Sequence, residues 1–359
     1  MRRILALLLL LGTVLSCAGC GAEPLPAATQ EEIPETTVAE STAPVTEETQ
    51  PMAEDNLYLK VSAITFSLVG ESEDIYLGLV PREQVTWHSE DPTVIDVVDG
   101  VLTAVGVGTT TVYATCDDRQ VSCVAGCLAQ TREELEQLDK EILAAPKRLP
   151  PEVDLSVPCT WFDNQAILGD SITYFLWQAE SKNDYLGEMT FVSRHGISIH
   201  GLVNRTKNMY LEGQPADIEE IVASIAVDRI YLMLGCLDFQ VPASSMMIMD
   251  HWEILLDRIA QRNPDVEIVL ISNIPGFTEE TEPIPYNISV DDTTIKLRQL
   301  AADRGYGFID LGCYVRDHYG RMPAIYCQDE FHMNEEGSLV WMKLLHFYAQ
   351  LESEGGSIA

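Results

Sequence analysis

The sequence is short of positive charge. It holds 22 Lys and Arg against 56 Asp and Glu, a formal net charge of -34. No basic patch able to neutralise phosphates can be assembled from that balance, which argues against a nucleic-acid partner; an acidic surface of this kind mainly serves solubility. Long apolar runs are lacking too. The run near the N-terminus, Ile4 to Leu15, is too short for a comfortable membrane span. Two matched Cys-x-x-Cys pairs are lacking, so the nine cysteines do not read as a zinc site. Between residues 22 and 55 large apolar side chains are almost missing, and Thr, Pro, Glu and Ala dominate. Such a segment cannot bury enough surface to offset chain entropy, so residues 21–56 are expected to be a disordered acidic linker. Fully extended, it would reach on the order of 100 Å.

The N-terminal run has a charged entry, Arg2-Arg3, and a small-residue exit, Val14-Leu15-Ser16-Cys17-Ala18-Gly19-Cys20. This is the layout of a secretory signal, and its end resembles a bacterial lipobox. The resemblance implies cleavage and lipidation of Cys20, with Cys17 as the alternative. Residues 1–20 are then a lipoprotein signal peptide, and the mature chain is tethered at the extracellular face of the cytoplasmic membrane without spanning it. Seven cysteines remain, namely Cys116, Cys123, Cys127, Cys159, Cys236, Cys313 and Cys327, so at least one is free or shared between chains. Cys116 and Cys123 are placed to face each other across a hairpin as a disulfide, and Cys313 with Cys327 is a weaker pairing.

Residues 57–128 read as all-β. Short runs such as Val61-Ser62-Ala63-Ile64, Ile75-Tyr76-Leu77, Val85-Thr86-Trp87, Val94-Ile95-Asp96-Val97 and Thr110-Thr111-Val112-Tyr113 recur between turn signals. Trp87-His88-Ser89-Glu90-Asp91-Pro92 and Gly100-Val101-Leu102-Thr103-Ala104-Val105-Gly106-Val107-Gly108-Thr109 resemble the bacterial Ig-like group 2 domain. That resemblance implies a small sandwich acting as a spacer. Residues 129–158 form a helical linker: Thr131-Arg132-Glu133-Glu134 fits a capping box opening a helix to about Ala145. Pro146, Pro150 and Pro151 follow as a boundary.

Over residues 159–352 strands and helices alternate. Strand candidates are Ala166–Leu168, Met189–Val192, Arg229–Leu234, Val266–Ile271 and Gly307–Ile309. Helical patterns lie at Tyr174–Glu180, Ala216–Ile225, Met246–Gln261, Thr293–Arg304 and Glu335–Leu351. The alternation predicts an α/β, three-layer, flavodoxin-like domain with a five-stranded parallel sheet. Its ligands would bind beyond the carboxyl ends of the strands. Trp177, Tyr174, Phe239 and Phe331 read as core aromatics.

Two stretches carry chemistry. In Ile167-Leu168-Gly169-Asp170-Ser171 an apolar run ends at a turn, and Ser171 stands at a helix start with its N–H exposed, as a nucleophile generating an oxyanion requires. Taken alone, Asp170-Ser171 reads equally well as a capping turn. Far downstream, Asp329-Glu330-Phe331-His332 puts a carboxylate three residues from an imidazole, which it can orient and stabilise when charged. Together they resemble the SGNH/GDSL hydrolases, whose blocks are Gly-Asp-Ser and Asp-x-x-His. The resemblance implies a serine ester hydrolase with Ser171, His332 and Asp329 as catalytic residues. It implies an oxyanion hole from the N–H groups of Ser171 and Gly196, the latter in His195-Gly196-Ile197-Ser198. Asp170 and Asp238 would support the site, and water would be the only co-reactant, with no metal or cofactor. The family pattern Gly-x-Asn-Asp appears here as Gly235-Cys236-Leu237-Asp238. Leu237 replaces the Asn donor, whose loss typically removes about 3–4 kcal/mol of transition-state stabilisation. His200 is a stray candidate donor, and Cys236 a weak one. The expected substrate is an O-acylated, for instance O-acetylated, carbohydrate or another small ester, handled by a monomer. No long apolar lid is visible, which disfavours a lipase. The competing expectations are an impaired domain in a surface scaffold and an O-acyltransferase.

Overall fold

The β-branched runs of the first half become strands β1 (Ala63–Leu68), β2 (Ser72–Asp74), β3 (Thr86–Ser89), β4 (Ile95–Val98), β5 (Val101–Ala104), β6 (Gly108–Cys116) and β7 (Arg119–Ala129). They were read from a computed structural model that describes residues 57–155, 160–211, 213–240, 245–280 and 284–356. The signal segment with Cys17 and Cys20, the linker to residue 56, and Cys159 lie outside the described residues. Strand β6 buries every second side chain, Thr110, Val112, Ala114 and Cys116, as a one-sided strand should. These strands fall into two sheets, and Ile64, Ile75, Ile95 and Leu102 are fully buried. Gly106 is obligatory, because a Cβ there would lie 2.3 Å from the Thr93 carbonyl oxygen.

Although a hairpin reaching Cys123 was expected, strand β7 is not among the short runs named from the sequence. Its sequence, Arg-Gln-Val-Ser-Cys-Val-Ala-Gly-Cys-Leu-Ala, is rich in small residues of weak strand propensity. Those residues suit its place inside the sheet, between β6 and β1. Its register corrects the expected disulfide. Cys116 pairs with Arg119, and Cys123 pairs with Val112, so the two thiols sit on separate rungs. All six described cysteines are free, Cys313 and Cys327 included.

The predicted single helix after Thr131 is two short ones, α1 (Arg132–Glu136) and α2 (Lys140–Leu143). Thr131 caps the first by accepting from the Glu134 N–H at 3.3 Å. Asp139 interrupts the pattern and caps the second, accepting from the Glu141 N–H at 3.0 Å. The chain then returns to the first sheet as β8 (Arg148–Leu149), antiparallel to β1.

The second half holds β9 (Gln165–Gly169), α3 (Ser171–Asn183), β10 (Thr190–Ser193), α4 (Ile199–Val203), β11 (Met209–Leu211), β12 (Gln214–Ala216), α5 (Ile218–Ile225), β13 (Arg229–Met233), α6 (Cys236–Phe239), α7 (Ser245–Arg262), β14 (Glu267–Ile271), α8 (Pro285–Arg304), β15 (Gly307–Ile309) and α9 (Glu335–Ser353). The sheet is five-stranded and parallel, in the order β10-β9-β13-β14-β15. Every residue of β9 is buried, which is why its apolar run does not alternate. Helix α3 packs against α9, while α7 packs against α4, α5 and α8. The hairpin β11–β12 claims Ala216, so the following helix begins only at Ile218. Among the described residues no helix is long and apolar enough to cross a membrane.

The chain leaves β9 toward β10 on one side, then returns to add β13, β14 and β15 on the other. The crevice at that reversal, beyond the carboxyl ends of β9 and β13, is where such sheets bind ligands. Ser171 follows β9 there, and Cys236 and Leu237 follow β13.

The β region and the α/β region are joined by more than the chain. The Tyr314 hydroxyl donates to the Lys60 carbonyl at 2.7 Å, and Ser67 Oγ lies 3.0 Å from His318 Nδ1. Arg148 spans both regions, donating to Glu73 at 2.6 Å and to the Cys313 carbonyl at 3.3 Å.

Candidate active site

The turn after β9 is tight by necessity. A Cβ on Gly169 would stand 2.0 Å from Thr173 Oγ1 and 2.5 Å from the Met233 carbonyl oxygen of the neighbouring strand. Asp170 then caps α3, accepting from the Ile172 N–H at 3.0 Å. Its second oxygen accepts from the Cys236 N–H at 3.1 Å, which ties the turn after β9 to the turn after β13. Burial pushes the Asp170 carboxyl up to about 6, against the pull of those two N–H groups. Asp238 performs a similar task. It accepts from the Ile199 N–H at 2.8 Å and the His200 N–H at 3.1 Å, pinning the segment after Gly196 to the turn after β13. Burial raises its carboxyl, opposed by the same N–H groups and by His251 and His200.

Ser171 begins α3, and its Oγ lies 2.7 Å from His332 Nε2. On the far side of that ring, Nδ1 lies 2.7 Å from Asp329 Oδ2. Asp329 Oδ1 accepts from the Phe331 and His332 N–H groups at 2.9 Å each. Burial disfavours the Asp329 anion, yet the Phe331 N–H, the His332 ring and the His332 N–H outweigh it and hold the carboxyl below its ordinary range. Two residues distant in sequence therefore meet, with a carboxylate behind the imidazole. In this arrangement His332 can take the Ser171 proton while Asp329 keeps the remaining ring proton on Nδ1.

The loop bearing Asp329 and His332 is fixed by residues that sequence reasoning passed over. Asn334 caps α9 by accepting from the Gly337 N–H at 3.1 Å, and it donates to the Ile325 and Cys327 carbonyls. Asn287 holds Gly276 through both its N–H, at 2.7 Å, and its carbonyl. Phe277 next to it donates to the Glu330 carbonyl at 2.8 Å. The Asn-before-helix pattern at Asn334 was a usable signal for the first; nothing local marked Asn287.

Two N–H groups at the crevice, those of Ser171 and Gly196, have no hydrogen-bond partner among the described residues. Gly196 holds a left-handed backbone, φ +66°, just beyond β10. Leu237 is half-buried in α6 and carries no donor. Cys236 does not replace it: its sulfur accepts from the Tyr286 hydroxyl at 3.5 Å and the Gln240 amide at 3.8 Å, and burial pushes its thiol up to about 12. His200 lies on α4, where its ring meets His251 at 5.0 Å and Asn204, so its side chain is engaged there.

The core expectation for the aromatics needs correction. Phe239 is buried, but Phe331 and Tyr174 are only half-buried and Trp177 is 37% exposed. The helical pattern could not show which side of α3 faces the mouth of the crevice. Phe175, not singled out before, packs its ring 4.8 Å from that of His332. Burial and the neighbouring His332 hold the His195 imidazole below its ordinary value.

Residues 167–339 match the GDSL-like Lipase/Acylhydrolase family. The match runs from inside β9 through Ser171, Asp329 and His332 into α9, so the matched stretch contains every residue of the cluster. Solved structures similar to this chain include a GDSL-like lipase from Bacteroides thetaiotaomicron, at 13% identity over 52% of this chain and 87% of that one, TM-score 0.42. Another is an acetyl xylan esterase from Geobacillus stearothermophilus, at 18% identity over 54% and 95%, TM-score 0.36. A third is the C-terminal catalytic domain of a Streptococcus pneumoniae peptidoglycan O-acetyltransferase, at 13% identity over 54% and 96%, TM-score 0.38. No curated protein matches the sequence.

Proposed function

We propose that the GDSL-like domain is a serine ester hydrolase that removes O-acyl groups, acetyl among them, from a carbohydrate or cell-wall polymer. The observation that carries this is the hydrogen-bonded line from Ser171 Oγ through the His332 ring to Asp329, with 2.7 Å at each link. In the first half-reaction Ser171 Oγ attacks the ester carbonyl while His332 Nε2 takes its proton. The C–O bond to the alcohol breaks, and His332 returns the proton to the leaving oxygen. Water then attacks the acyl-serine, His332 takes one of its protons, and Ser171 leaves as the alcohol with a carboxylic acid as product. The unpaired N–H groups of Ser171 and Gly196 support the reading as donors to the oxyanion in both halves. The position at the start of α3 adds the favourable end of the helix dipole.

The rest of the reading is architectural. Residues 1–20 serve as a lipoprotein signal with Cys20 as the lipidated residue. Residues 21–56 are the linker to the extracellular face of the membrane, and the all-β region is an Ig-like spacer. The hydrogen bonds of Tyr314, His318 and Arg148 across the two regions support a holding role for that module. Leu237 favours a second reading, in which the domain is catalytically impaired and serves as a surface scaffold.

The deciding experiment measures release of p-nitrophenol from p-nitrophenyl acetate by the parent chain and by Ser171→Ala. The hydrolase reading expects turnover that the variant abolishes. Equal background from both proteins counts against the hydrolase reading and favours the scaffold reading instead.

A further inference from the structure

The face of α3 that starts with Ser171 continues as a row of rings. Tyr174 and Phe175 follow one turn along, and Trp177 and Gln178 about two turns along. The rings touch in sequence: Tyr174 to Trp177 at 5.5 Å, Tyr174 to His195 at 4.3 Å, Phe175 to His195 at 5.9 Å and Phe175 to His332 at 4.8 Å between centroids. At 1.5 Å per residue the row extends about 9 Å from the nucleophile. The domain buries Trp252, Trp341 and Phe162 completely, so the exposed Trp177 is not surplus from a small core.

The chemistry of the row is specific. It is aromatic, not aliphatic, and so a poor match for a long acyl chain. Its edges are polar. The Gln178 amide donates to the Tyr174 hydroxyl oxygen at 3.1 Å, which leaves the phenol proton for another acceptor. The His195 ring makes no hydrogen bond among the described residues. Two cations near the row have neutral partners: Arg194 stacks on Tyr210 at 4.4 Å and bonds the Asn208 carbonyl, while the Lys207 ammonium bonds the Gly196 carbonyl at 2.7 Å. A pyranose ring offers what this surface can use, an apolar C–H face for the rings and hydroxyls for the edges.

The geometry points to Tyr174, Trp177 and His195 as a subsite for a pyranose ring. That ring belongs to the carbohydrate bearing the ester and lies on the alcohol side of the scissile bond. Stacked there, it holds the acylated oxygen within reach of Ser171 and His332. This deepens the ester-hydrolase reading and rests on it, but its binding test does not require turnover.

Calorimetric titration of the full chain carrying Ser171→Ala, with xylohexaose in one arm and chitohexaose in the other, tests the subsite. Saturable binding of at least one sugar is expected, and the arm that binds identifies the polymer type. Adding Trp177→Ala should weaken that binding at least tenfold, whereas Trp177→Phe should restore most of it. No binding in either arm, or unchanged affinity in Trp177→Ala, overturns the proposal whether or not the protein hydrolyses esters. In the Ser171 parent, Trp177→Ala should depress kcat/KM for the O-acetylated oligosaccharide at least tenfold more than for p-nitrophenyl acetate. Equal depression of both substrates counts against the subsite, while absence of turnover in the parent counts against the hydrolase reading alone.

Discussion

Replacing Asp329 by Asn separates the orientation of His332 from mere proximity. Asp329 Oδ1 accepts from the Phe331 and His332 N–H groups at 2.9 Å each and also lies 2.9 Å from His332 Nδ1, while Oδ2 is the nearer to Nδ1 at 2.7 Å. In Asp329→Asn the single carbonyl oxygen keeps the two backbone bonds at the Oδ1 position, so the amide NH2 takes the Oδ2 position, the one nearer to the ring. A donor facing Nδ1 makes that nitrogen an acceptor and moves the ring proton to Nε2. There it points at Ser171 Oγ, 2.7 Å away, and the base is blocked. In a Ser-His-Asp triad this tautomer error costs about 10⁴ in kcat, or about 5.5 kcal/mol at 1.36 kcal/mol per tenfold. Asp329→Ala loses the orientation without enforcing the wrong tautomer, and should be the faster of the two by at least tenfold. The turn survives in Asp329→Asn because both backbone donors keep an acceptor, so its Tm should match the parent within about 2 °C. Steady-state hydrolysis of p-nitrophenyl acetate and thermal melts of the three proteins provide the comparison. An Asn variant within tenfold of the parent, or an Ala variant slower than Asn, would refute the assigned hydrogen-bond roles.

Other substitutions probe other links. Leu237→Asn restores a donor on α6 and should raise kcat about a hundredfold on the same ester, the lower end of what one oxyanion donor supplies; an unchanged rate means that the hole is complete without it. Gly169→Ala drives a Cβ into the Met233 carbonyl and Thr173, and should destabilise the domain by about 1–3 kcal/mol in chemical denaturation; a wild-type midpoint would show that the turn can relax. Burial and the nearby Lys147 ammonium pull the His318 imidazole down to about 3. The unfolded chain therefore takes up a proton below about pH 6.5 that the folded chain refuses, and stability is lost as pH falls. Between pH 6.5 and 5 this one residue accounts for on the order of 2 kcal/mol of loss. His318→Gln, which can still bond Ser67, should flatten that part of the profile, whereas identical profiles would exclude His318 as its source.

The parallel sheet was legible because β9, β13 and β14 are buried on both faces and so appear as uninterrupted apolar runs. Ser171 and His332 were legible because each stands in a short polar break at the edge of a strong apolar pattern. What escaped lay in long-range pairing. Six of the eleven residues of β7 are Ala, Gly, Cys or Ser, and its neighbours β6 and β1 make it a strand. The Cys116–Cys123 pairing failed because hairpin register depends on the turn, which fixed Cys116 opposite Arg119. Asp170 and Asp238 were identifiable as members of the site, but not as clasps between separate turns, because their acceptor roles join residues 66 and 39 positions apart.

The contacts across the β and α/β regions also have a directional consequence. With Pro146 bridged to Asp317, β8 laid against β1, and Tyr314 fastened to Lys60, the two bodies have no free swivel between them. The opening above Ser171 therefore keeps one bearing relative to the point where the chain arrives at Leu57. Anything that pulls or orients the protein from that end aims the crevice as well.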